Sequence, residues 1–449
     1  MLMAVVAWAC GASAKPAPLT PGAWGGKLFG LNIVLNFELA GSKWSATLDS
    51  PDQGAVGIPC TMAYANDTVT VACEAIGAVY TGAVCEGEID GSFAQGGMAL
   101  PLKLKPVEAV ALRRPQTPEP PFPYDSKEVS FTRDTLTFTG TLVTPATPGP
   151  WPAAVLVTGS GQQNRDEEIA GHRPFAVIAD YLARHGVATL RYDDRGIGGS
   201  SAGAPGATTA DYADDAMAAL SMLRQVEGVD KGRTGFIGHS EGALIGLIDA
   251  AKDPSSTAFV VALAGPLLSG RETMVAQNRL IAAAVGQPLG EKELRQVEQV
   301  FGAIDSISSP SQLESTLRGI LAEQGVAPDA VEQQVAALTS PWYTAFVRFD
   351  PSTVTPSVEC PVLLLSGELD VQVDPVGNTR RLTTLLPMAS HRTYDGLSHF
   401  FQPVGSAAEG LQPGRIETTI DERVLADMAY WITNGYRLPS AALRSLFIH

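Results

Sequence analysis

The sequence predicts an α/β fold, in which helices cover both faces of a mostly parallel sheet, preceded by a small all-β domain. Three features of the 449 residues predict it. Short alternating strands, separated by glycine, asparagine and aspartate, fill residues 20–105. A proline-dense stretch at 106–126 suits neither helix nor central strand and is expected to be a linker. From 127 to 449, strand-like and helix-like segments alternate, which is typical of a parallel sheet covered by helices.

The overall composition is that of a globular protein. Apolar residues make up 45% of the chain and charged residues 17%, so a chain of this length can bury a large core. The net charge of −16 argues against nucleic-acid binding, because a phosphate backbone requires a basic surface. The same charge disfavours strongly anionic substrates.

Residues 1–14 are predicted to be a signal peptide that directs export to the periplasm or out of the cell. They form a short apolar stretch that ends in Ala12-Ser13-Ala14, a small-residue cleavage pattern. The stretch is too short to span a membrane, and no other segment is long and apolar enough to do so. A positively charged start is missing, so a buried strand is the first alternative, and a lipid anchor at Cys10 is the second.

The cysteines indicate a disulfide rather than a metal site. Residues 60–73 have the pattern of a hairpin that turns at Asn66-Asp67, which places Cys60 opposite Cys73. We expect these two to form a disulfide, which suits an exported protein, with Cys73–Cys85 as the competing pair and free thiols as the remaining alternative. The cysteine spacing fits no metal pattern, so no metal is expected.

The strands of residues 20–105 predict a small sandwich or barrel. No motif in this region carries a recognisable chemistry, and no clean internal repeat is visible. We therefore expect a packing or solubility role, with binding of a ligand or polysaccharide as the alternative.

The second domain is predicted to add strands and helices in turn. The expected strands are two within 129–143, then 153–158, 188–192, 235–237, 258–263, 361–365 and 391–394. The expected helices are 174–185, 209–226 with Thr209 as N-cap, 243–251, 375–386 and 421–434. Residues 269–348 are helical in pattern and contain no strand, so they are expected to form a cap over the carboxyl edge of the sheet.

The pattern Gly238-His239-Ser240-Glu241-Gly242 predicts a nucleophilic serine. It follows an apolar run and precedes small helical residues. A turn between strand and helix holds a serine hydroxyl where a base can reach it. The same pattern at 199–203 runs into Ala-Pro-Gly with no helix, so that serine is expected to lie in a loop. Ser240 is therefore the candidate nucleophile.

A serine nucleophile needs a histidine base, and the base needs an acid that holds its tautomer. His399 follows the last expected strand on a loop and is the candidate base. The other histidines precede the serine, adjoin it, lie in a strand or end the chain; they are His172, His185, His239, His391 and His449. Asp370 follows the preceding strand and is the expected acid, with Glu368 and Asp374 as alternatives. Serine, acid and histidine then follow a known chain order of such triads.

The oxyanion that forms during acyl transfer is expected to accept hydrogen bonds from backbone N–H groups. Glu241, directly after the nucleophile, supplies one of them. The loop after residues 153–158 supplies the other, with Ser160 as the first candidate and Gly161 as the second.

Several motifs together resemble the α/β-hydrolase superfamily, in its branch of bacterial serine esterases and dipeptidyl-peptidase-like (S9-like) proteins with an N-terminal β domain. The resemblance covers 129–436 and rests on GSGQQNRDE (159–167), LRYDDRGIGGS (190–200), GHSEG (238–242), SPW (340–342), GELD (367–370) and SHF (398–400). Gln162 and Asn164 replace a proline and an aspartate of the family pattern. The resemblance implies serine hydrolysis of esters or related acyl compounds, without a metal or organic cofactor.

A group of charged residues follows the strand ends near the expected site. It consists of Arg165, Asp166, Asp193, Asp194 and Arg195. Charged loop residues at such positions often pair with one another. We expect them to shape the loops rather than to contact the substrate.

The expected function is that of a carboxylesterase acting on small acyl esters. In this reading Ser240 attacks the acyl carbon, His399 transfers the proton, Asp370 orients His399, and water hydrolyses the acyl-enzyme. A peptidase with the same residues is the alternative, and it needs acidic groups such as Glu167 or Glu168 for a peptide amine. A non-catalytic protein that binds through its β domain is a third reading, which the complete triad disfavours.

Overall fold

The computed structural model describes residues 17–439, except residues 42, 54, 97 and 109–112. The predicted signal peptide, Cys10 and His449 therefore lie outside the described residues. The chain divides into two compact units. The first contains the described residues up to Arg114 with Ile169–His172 and Gln412–Glu417, and the second contains the rest.

The first unit is built on a closed barrel of antiparallel strands. The strands are β1 (Gly22–Leu28), β2 (Leu31–Ala40), β3 (Lys43–Ser50), β4 (Ala55–Ala65), β5 (Thr68–Cys73), β6 (Ala78–Cys85), β7 (Glu88–Gln95) and β8 (Met98–Val107). Each strand pairs with the next along the chain, and β1 pairs with β8. This last pairing joins the two edges of the sheet, so of the two architectures that the sequence allowed, the structure has the barrel.

Alternation of side chains fills the barrel interior. In β5 every second side chain is buried, and those between are partly exposed. Tyr80 lies inside the barrel, with its hydroxyl oxygen 3.1 Å from the carbonyl oxygen of Leu102. A Cβ at Gly82 or Gly91 would lie 2.8 or 2.6 Å from that hydroxyl oxygen. These glycines therefore make room for the buried tyrosine.

Strands β4 and β5 form a hairpin closed by a disulfide. Asn66 and Asp67 form its two-residue turn with φ of 50° and 58°, the conformation of a type I′ turn. Cys60 and Cys73 are joined by a disulfide, with their Cα atoms 4.4 Å apart. Cys360 is a free thiol in the second unit.

The second unit contains a sheet of eight strands. They are β9 (Asp125–Arg133), β10 (Leu136–Thr144), β11 (Trp151–Val157), β12 (Ala188–Tyr192), β13 (Val229–His239), β14 (Val260–Leu263), β15 (Val362–Gly367) and β16 (Ser390–Tyr394). The spatial order is β16-β15-β14-β13-β11-β12-β10-β9. Neighbours from β12 to β16 are parallel, whereas β10 is antiparallel to both β9 and β12.

Helices connect the parallel strands. They are α1 (Pro174–Arg184), α2 (Thr209–Leu223), α3 (Glu241–Lys252), α4 (Gly270–Ala284), α5 (Glu291–Ser306), α6 (Pro310–Glu323), α7 (Pro328–Leu338), α8 (Pro341–Arg348), α9 (Pro375–Leu385) and α10 (Glu422–Thr433). Between β14 and β15 the chain forms only α4 to α8 and two short 3-10 turns, so 269–348 is a helical insertion. No helix in the described part of the chain has the length and apolar character needed to cross a membrane.

Apolar side chains cover the sheet on both faces. Helices α1 and α10 pack on one face, and α2, α3 and α9 pack on the other. All residues of β15 are buried, as expected for a central parallel strand. This arrangement leaves the carboxyl ends of the parallel strands together at one edge.

The first residues of α2 and β13 differ from the prediction. Thr208, not Thr209, is the N-cap of α2, because its N–H and hydroxyl both donate to the carboxylate of Asp211. Strand β13 begins at Val229, which pairs with Trp151. A register shift follows this pair, and the apolar run at 235–237 does not indicate that the strand starts before it.

Helix α3 carries a buried carboxyl group, that of Asp249. Asp249 is fully buried, and neither of its carboxyl oxygens has a hydrogen-bond partner in the described part of the chain. Burial raises the pKa of Asp249 to about 8, and nearby Asp214 and Asp215 add to this, while Lys252 opposes it. The folded protein therefore holds Asp249 as the neutral acid at neutral pH.

We expect Asp249→Asn to stabilise the protein more at high pH than at low pH. In the wild-type protein, the raised pKa of Asp249 contributes to the free energy of unfolding. This contribution is complete below the unfolded pKa near 4 and is lost as pH rises through the folded pKa of about 8. The loss amounts to at most about 1.4 kcal/mol per pH unit in that window, and asparagine does not share it. Urea unfolding of both proteins at pH 5 and pH 8 measures the difference. The exposed Asp134→Asn is the control, and a pH-independent difference for Asp249→Asn would contradict the assignment.

We expect the double substitution Cys60→Ala/Cys73→Ala to lower the free energy of unfolding of the first unit by about 3 kcal/mol, because the unfolded chain loses a cross-link. Chemical denaturation followed by tryptophan fluorescence measures this, since Trp24 is buried inside the barrel. Cys360→Ala is the control and should leave that transition unchanged. An unchanged transition in the double variant would show that the cross-link does not stabilise the barrel.

Candidate active site

Ser240 lies on a strained turn between β13 and α3. Its φ of 54° and ψ of −120° are unusual for a residue with a Cβ and mark a strained turn. The flanking glycines allow the turn to pack closely. A Cβ at Gly238 would lie 2.1 Å from the carbonyl oxygen of Gly242, and one at Gly242 would lie 2.1 Å from that of Val157. The serine is thereby fixed at the carboxyl end of the central strand.

The structure brings His399 and Asp370 into contact. His399 Nδ1 lies 2.8 Å from Asp370 Oδ2, and both side chains are buried. The other oxygen of Asp370 accepts the N–H groups of Gln372 and Val373 at 2.7 and 2.9 Å. Because the carboxylate accepts from Nδ1–H, the Nε2 atom of His399 keeps a lone pair that can accept a proton.

The alternative acids have other partners. Glu368 is exposed, and its carboxylate accepts the N–H of Gly396 at 3.1 Å. Asp374 caps α9 by accepting the N–H groups of Val376 and Gly377. The acid in contact with His399 is therefore Asp370 rather than either of these.

His239 adjoins the serine and connects three loops. Its Nδ1 lies 3.0 Å from Glu167 Oε1, and its Nε2 lies 3.1 Å from the carbonyl oxygen of His399. Its ring centroid lies 4.7 Å from that of His399. Burial alone would lower the pKa of His239, but the adjacent Glu167 carboxylate raises it above its ordinary value. This contact could not be predicted from the sequence, because His239 and Glu167 lie 72 positions apart.

The loop after β11 presents backbone N–H groups next to the serine turn. The N–H of Gly159 donates to Glu167 Oε1 at 2.7 Å, so it is already occupied. The N–H groups of Ser160 and Gly161 donate no hydrogen bond within the part of the chain that the structure describes. Glu241 is the first residue of α3, where helix geometry leaves the backbone N–H without an intrahelical acceptor. The predicted donors Glu241, Ser160 and Gly161 are thus not occupied by other described groups.

The side chain of Glu241 joins three helices above the sheet. Its carboxylate accepts the Thr209 hydroxyl of α2 at 2.6 Å and the Trp342 indole N–H of α8 at 3.0 and 3.1 Å. Trp342 belongs to the helical insertion, so the insertion is anchored to the residue that follows Ser240. The contact between Trp342 and Glu241 could not be predicted from the sequence, because no residue near Trp342 indicates its partner.

Of the five charged residues near the strand ends, only Arg165 and Asp193 pair with each other, and the other ion pairs are with charged residues outside the group. The ion pairs are Arg165–Asp193 at 2.7 Å, Arg165–Glu128 at 2.5 Å, Arg191–Asp166 at 3.1 Å and Arg195–Asp215. Asp194 instead accepts the Thr158 hydroxyl and the Gln163 N–H, and burial raises its pKa to about 7. Their contacts hold the loops in place.

Three other histidines lie away from Asp370. His172 belongs to the first unit, where its Nε2 lies 3.1 Å from the carbonyl oxygen of Pro413. His185 ends α1 and contacts the carbonyl oxygen of Tyr181 at 2.7 Å. His391 is exposed on β16. The described residues contain no group of three His, Cys, Asp or Glu side chains that could hold a metal ion.

Known proteins are similar to part of this chain. Residues 172–401 match the family Hydrolase_4, described as serine aminopeptidase, S33. Over 300 residues the chain is 25% identical to esterase EstD of Thermotoga maritima, which covers 65% of each protein. The chain therefore spans just under two thirds of that relative's length.

Solved structures of low sequence identity are also similar. Proline iminopeptidase of Mycobacterium smegmatis has 17% identity and a TM-score of 0.44, over 68% of this chain and 98% of that one. Est1E from Butyrivibrio proteoclasticus has 16% identity and a TM-score of 0.39, over 64% of this chain and 94% of that one. The family match spans just over half of the sequence and includes Ser240, Asp370 and His399. The chain belongs to the serine aminopeptidase S33 family of α/β hydrolases.

Proposed function

We propose that the protein is a carboxylesterase that hydrolyses small acyl esters through an acyl-enzyme on Ser240. The observation that carries the proposal is the strained turn at Ser240 on the same sheet edge as the buried Asp370–His399 pair. Strand β13 precedes Ser240, β15 precedes Asp370 and β16 precedes His399. A nucleophile, a base and an orienting acid are the groups that acyl transfer requires.

In the first half of the proposed reaction, the Ser240 oxygen forms a bond to the acyl carbon and its proton passes to His399 Nε2. The carbonyl electrons move to the oxygen, which accepts hydrogen bonds from the N–H groups of Glu241 and Ser160. The tetrahedral intermediate then breaks its bond to the alcohol oxygen, which takes the proton from His399. The acyl group stays on Ser240.

In the second half, water attacks the acyl carbon and gives its proton to His399. The bond to Ser240 breaks, the serine oxygen recovers the proton, and the carboxylic acid leaves. Asp370 keeps the Nδ1–H of His399 directed away from the serine, so that the imidazole accepts protons only at Nε2.

The contacts of Glu167 and Glu168, the two acidic residues considered for recognition of a substrate amine, favour an ester substrate over a peptide. Glu167 is buried and already contacts the Gly159 N–H and His239. Glu168 pairs with Arg173 at 3.3 Å. Neither offers an unpaired carboxylate to a substrate ammonium. The similarity to an esterase, EstD, supports the same choice.

An aminopeptidase is the second candidate, because the matched family is described as serine aminopeptidase. The same nucleophile, base and acid would serve. The difference would lie in protonation of an amine leaving group and in a carboxylate that binds the substrate amine. Glu168 is the more accessible of the two acids for that purpose.

We also propose that the protein is exported. The small-residue pattern Ala12-Ser13-Ala14 supports this, together with the Cys60–Cys73 disulfide, since disulfides persist in oxidising compartments.

We expect Ser240→Ala and His399→Ala to reduce ester turnover to the background rate without unfolding the protein. Asp370→Asn should lower kcat by about 10⁴-fold, because asparagine favours the wrong imidazole tautomer. Steady-state hydrolysis of nitrophenyl acetate and circular dichroism measure both properties. Glu368→Gln and Asp374→Asn are matched controls with near-normal rates, and near-normal activity in Asp370→Asn would move the acid role to one of them.

We expect a fluorophosphonate to label Ser240 and short-chain nitrophenyl esters to be cleaved faster than aminoacyl nitroanilides, because Glu167 and Glu168 both already have partners. Peptide mapping locates the label, and initial rates rank the substrates. Faster anilide cleavage that falls in Glu168→Gln would support the aminopeptidase instead. Absence of both labelling and turnover would refute the hydrolase mechanism.

A further inference from the structure

The barrel of the first unit contains a cavity of about 380 Å³. It lies at the barrel end that carries the β1–β2, β3–β4 and β7–β8 turns. Its inner wall is formed by Ile33, Leu48 and Phe93, which are buried. The volume falls within the range of small-molecule binding pockets, and eight-stranded barrels can hold one small ligand in this way.

The cavity ends inside the barrel. Beyond it, the interior is filled by Leu35, Phe37, Tyr80 and Leu104, none of which lines the cavity. The Tyr80 hydroxyl lies within 3.2 Å of two backbone carbonyl oxygens, so its polar end is satisfied within the core. A ligand would therefore enter between the turns and extend inward against apolar side chains.

The rim of the cavity carries two large apolar side chains that are mostly exposed to solvent. Phe29 lines the cavity and is 77% exposed, and Met98 lines it and is 63% exposed. Phe29 also has φ of 50° in the β1–β2 turn, where glycine, asparagine or aspartate is preferred. An aromatic side chain at such a position costs conformational energy, which the small buried fraction of Phe29 does little to offset. A ligand that covers the rim would bury both side chains.

The lining also fixes the charge of the ligand. No Lys, Arg, Asp or Glu is among the described residues that line the cavity, and its polar side chains are Ser50 and Gln95. Burying a carboxylate without a cationic partner is costly, so a fatty acid anion fits poorly. Gln95 is exposed at the rim, where its amide N–H donates to the Ile76 carbonyl at 2.9 Å. An uncharged polar group of a ligand can lie beside this amide at the rim.

We propose that the barrel binds one uncharged amphiphilic small molecule, with its alkyl or acyl chain inside the cavity and its polar end at the rim beside Gln95. The site is formed by the first unit alone and does not depend on the proposed hydrolysis at Ser240.

The first test is titration of the full chain with N-phenyl-1-naphthylamine, an uncharged probe that fluoresces in apolar surroundings. Saturable binding at one site per chain is expected, and Ser240→Ala should bind equally well. Dodecanol should displace the probe at concentrations at least about tenfold lower than dodecanoate at pH 8. The reason is that the carboxylate of dodecanoate would lose its hydration without gaining a cationic partner in the cavity.

Two substitutions separate the cavity from other apolar surfaces. Ala55 lines the cavity, so Ala55→Trp should fill it and weaken probe binding by at least about tenfold. Phe29→Asn should weaken binding several-fold while maintaining or raising the melting temperature, because asparagine suits the positive φ. The matched control is Leu39→Asn, an exposed apolar residue of β2 outside the cavity, which should bind as wild type.

Three results would overturn the proposal. One is absence of saturable probe binding to the wild-type chain. Another is binding that persists in folded Ala55→Trp and Phe29→Asn but is lost in Ser240→Ala, which would place the probe at the candidate active site. The third is equal displacement by dodecanoate and dodecanol, which would show that the site accepts the anion.

Discussion

The candidate active site depends on the close approach of β13, α3 and β11 around Ser240. The carbonyl oxygens of Gly242 and Val157 lie where a Cβ on Gly238 or Gly242 would be, so backbone packs on backbone at this point. That packing holds Ser240 at a positive φ, which an isolated turn would not maintain. The strain is compensated by burial of the surrounding strand and helix, in which residues 234–239 and 241–250 are buried.

A chain of buried contacts extends this constraint to the other loops of the site. Glu167 accepts the Gly159 N–H and contacts His239, and His239 reaches the carbonyl oxygen of His399. The loop with the candidate oxyanion donors, the serine turn and the loop of the candidate base are thus held by one carboxylate and one imidazole. Glu241 extends the connection to α8 of the helical insertion. Buried polar networks of this kind act as a unit, so loss of one member displaces the others.

The sequence could predict features whose cause is local. The serine turn, the order of strands and helices, and the hairpin at Asn66-Asp67 each follow from neighbouring residue types. It could not predict that Glu167 meets His239, nor that β1 meets β8, because these pairs are set by the packing of distant segments. The N-cap of α2 was misplaced by one residue for a related reason. Two adjacent threonines are equivalent by type, and only the position of the Asp211 carboxylate selects Thr208.

The lining of the barrel cavity and the net charge of the whole chain both disfavour anionic ligands. The barrel cavity has no charged lining among its described residues, and the chain carries a net charge of −16. Ester hydrolysis converts a neutral molecule into a carboxylate, and a negative field disfavours that product more than the substrate. The carboxylate would also lack a cationic partner in the barrel. If the proposed hydrolysis holds, inhibition by the anionic product should be weak at low ionic strength, where the field is least screened.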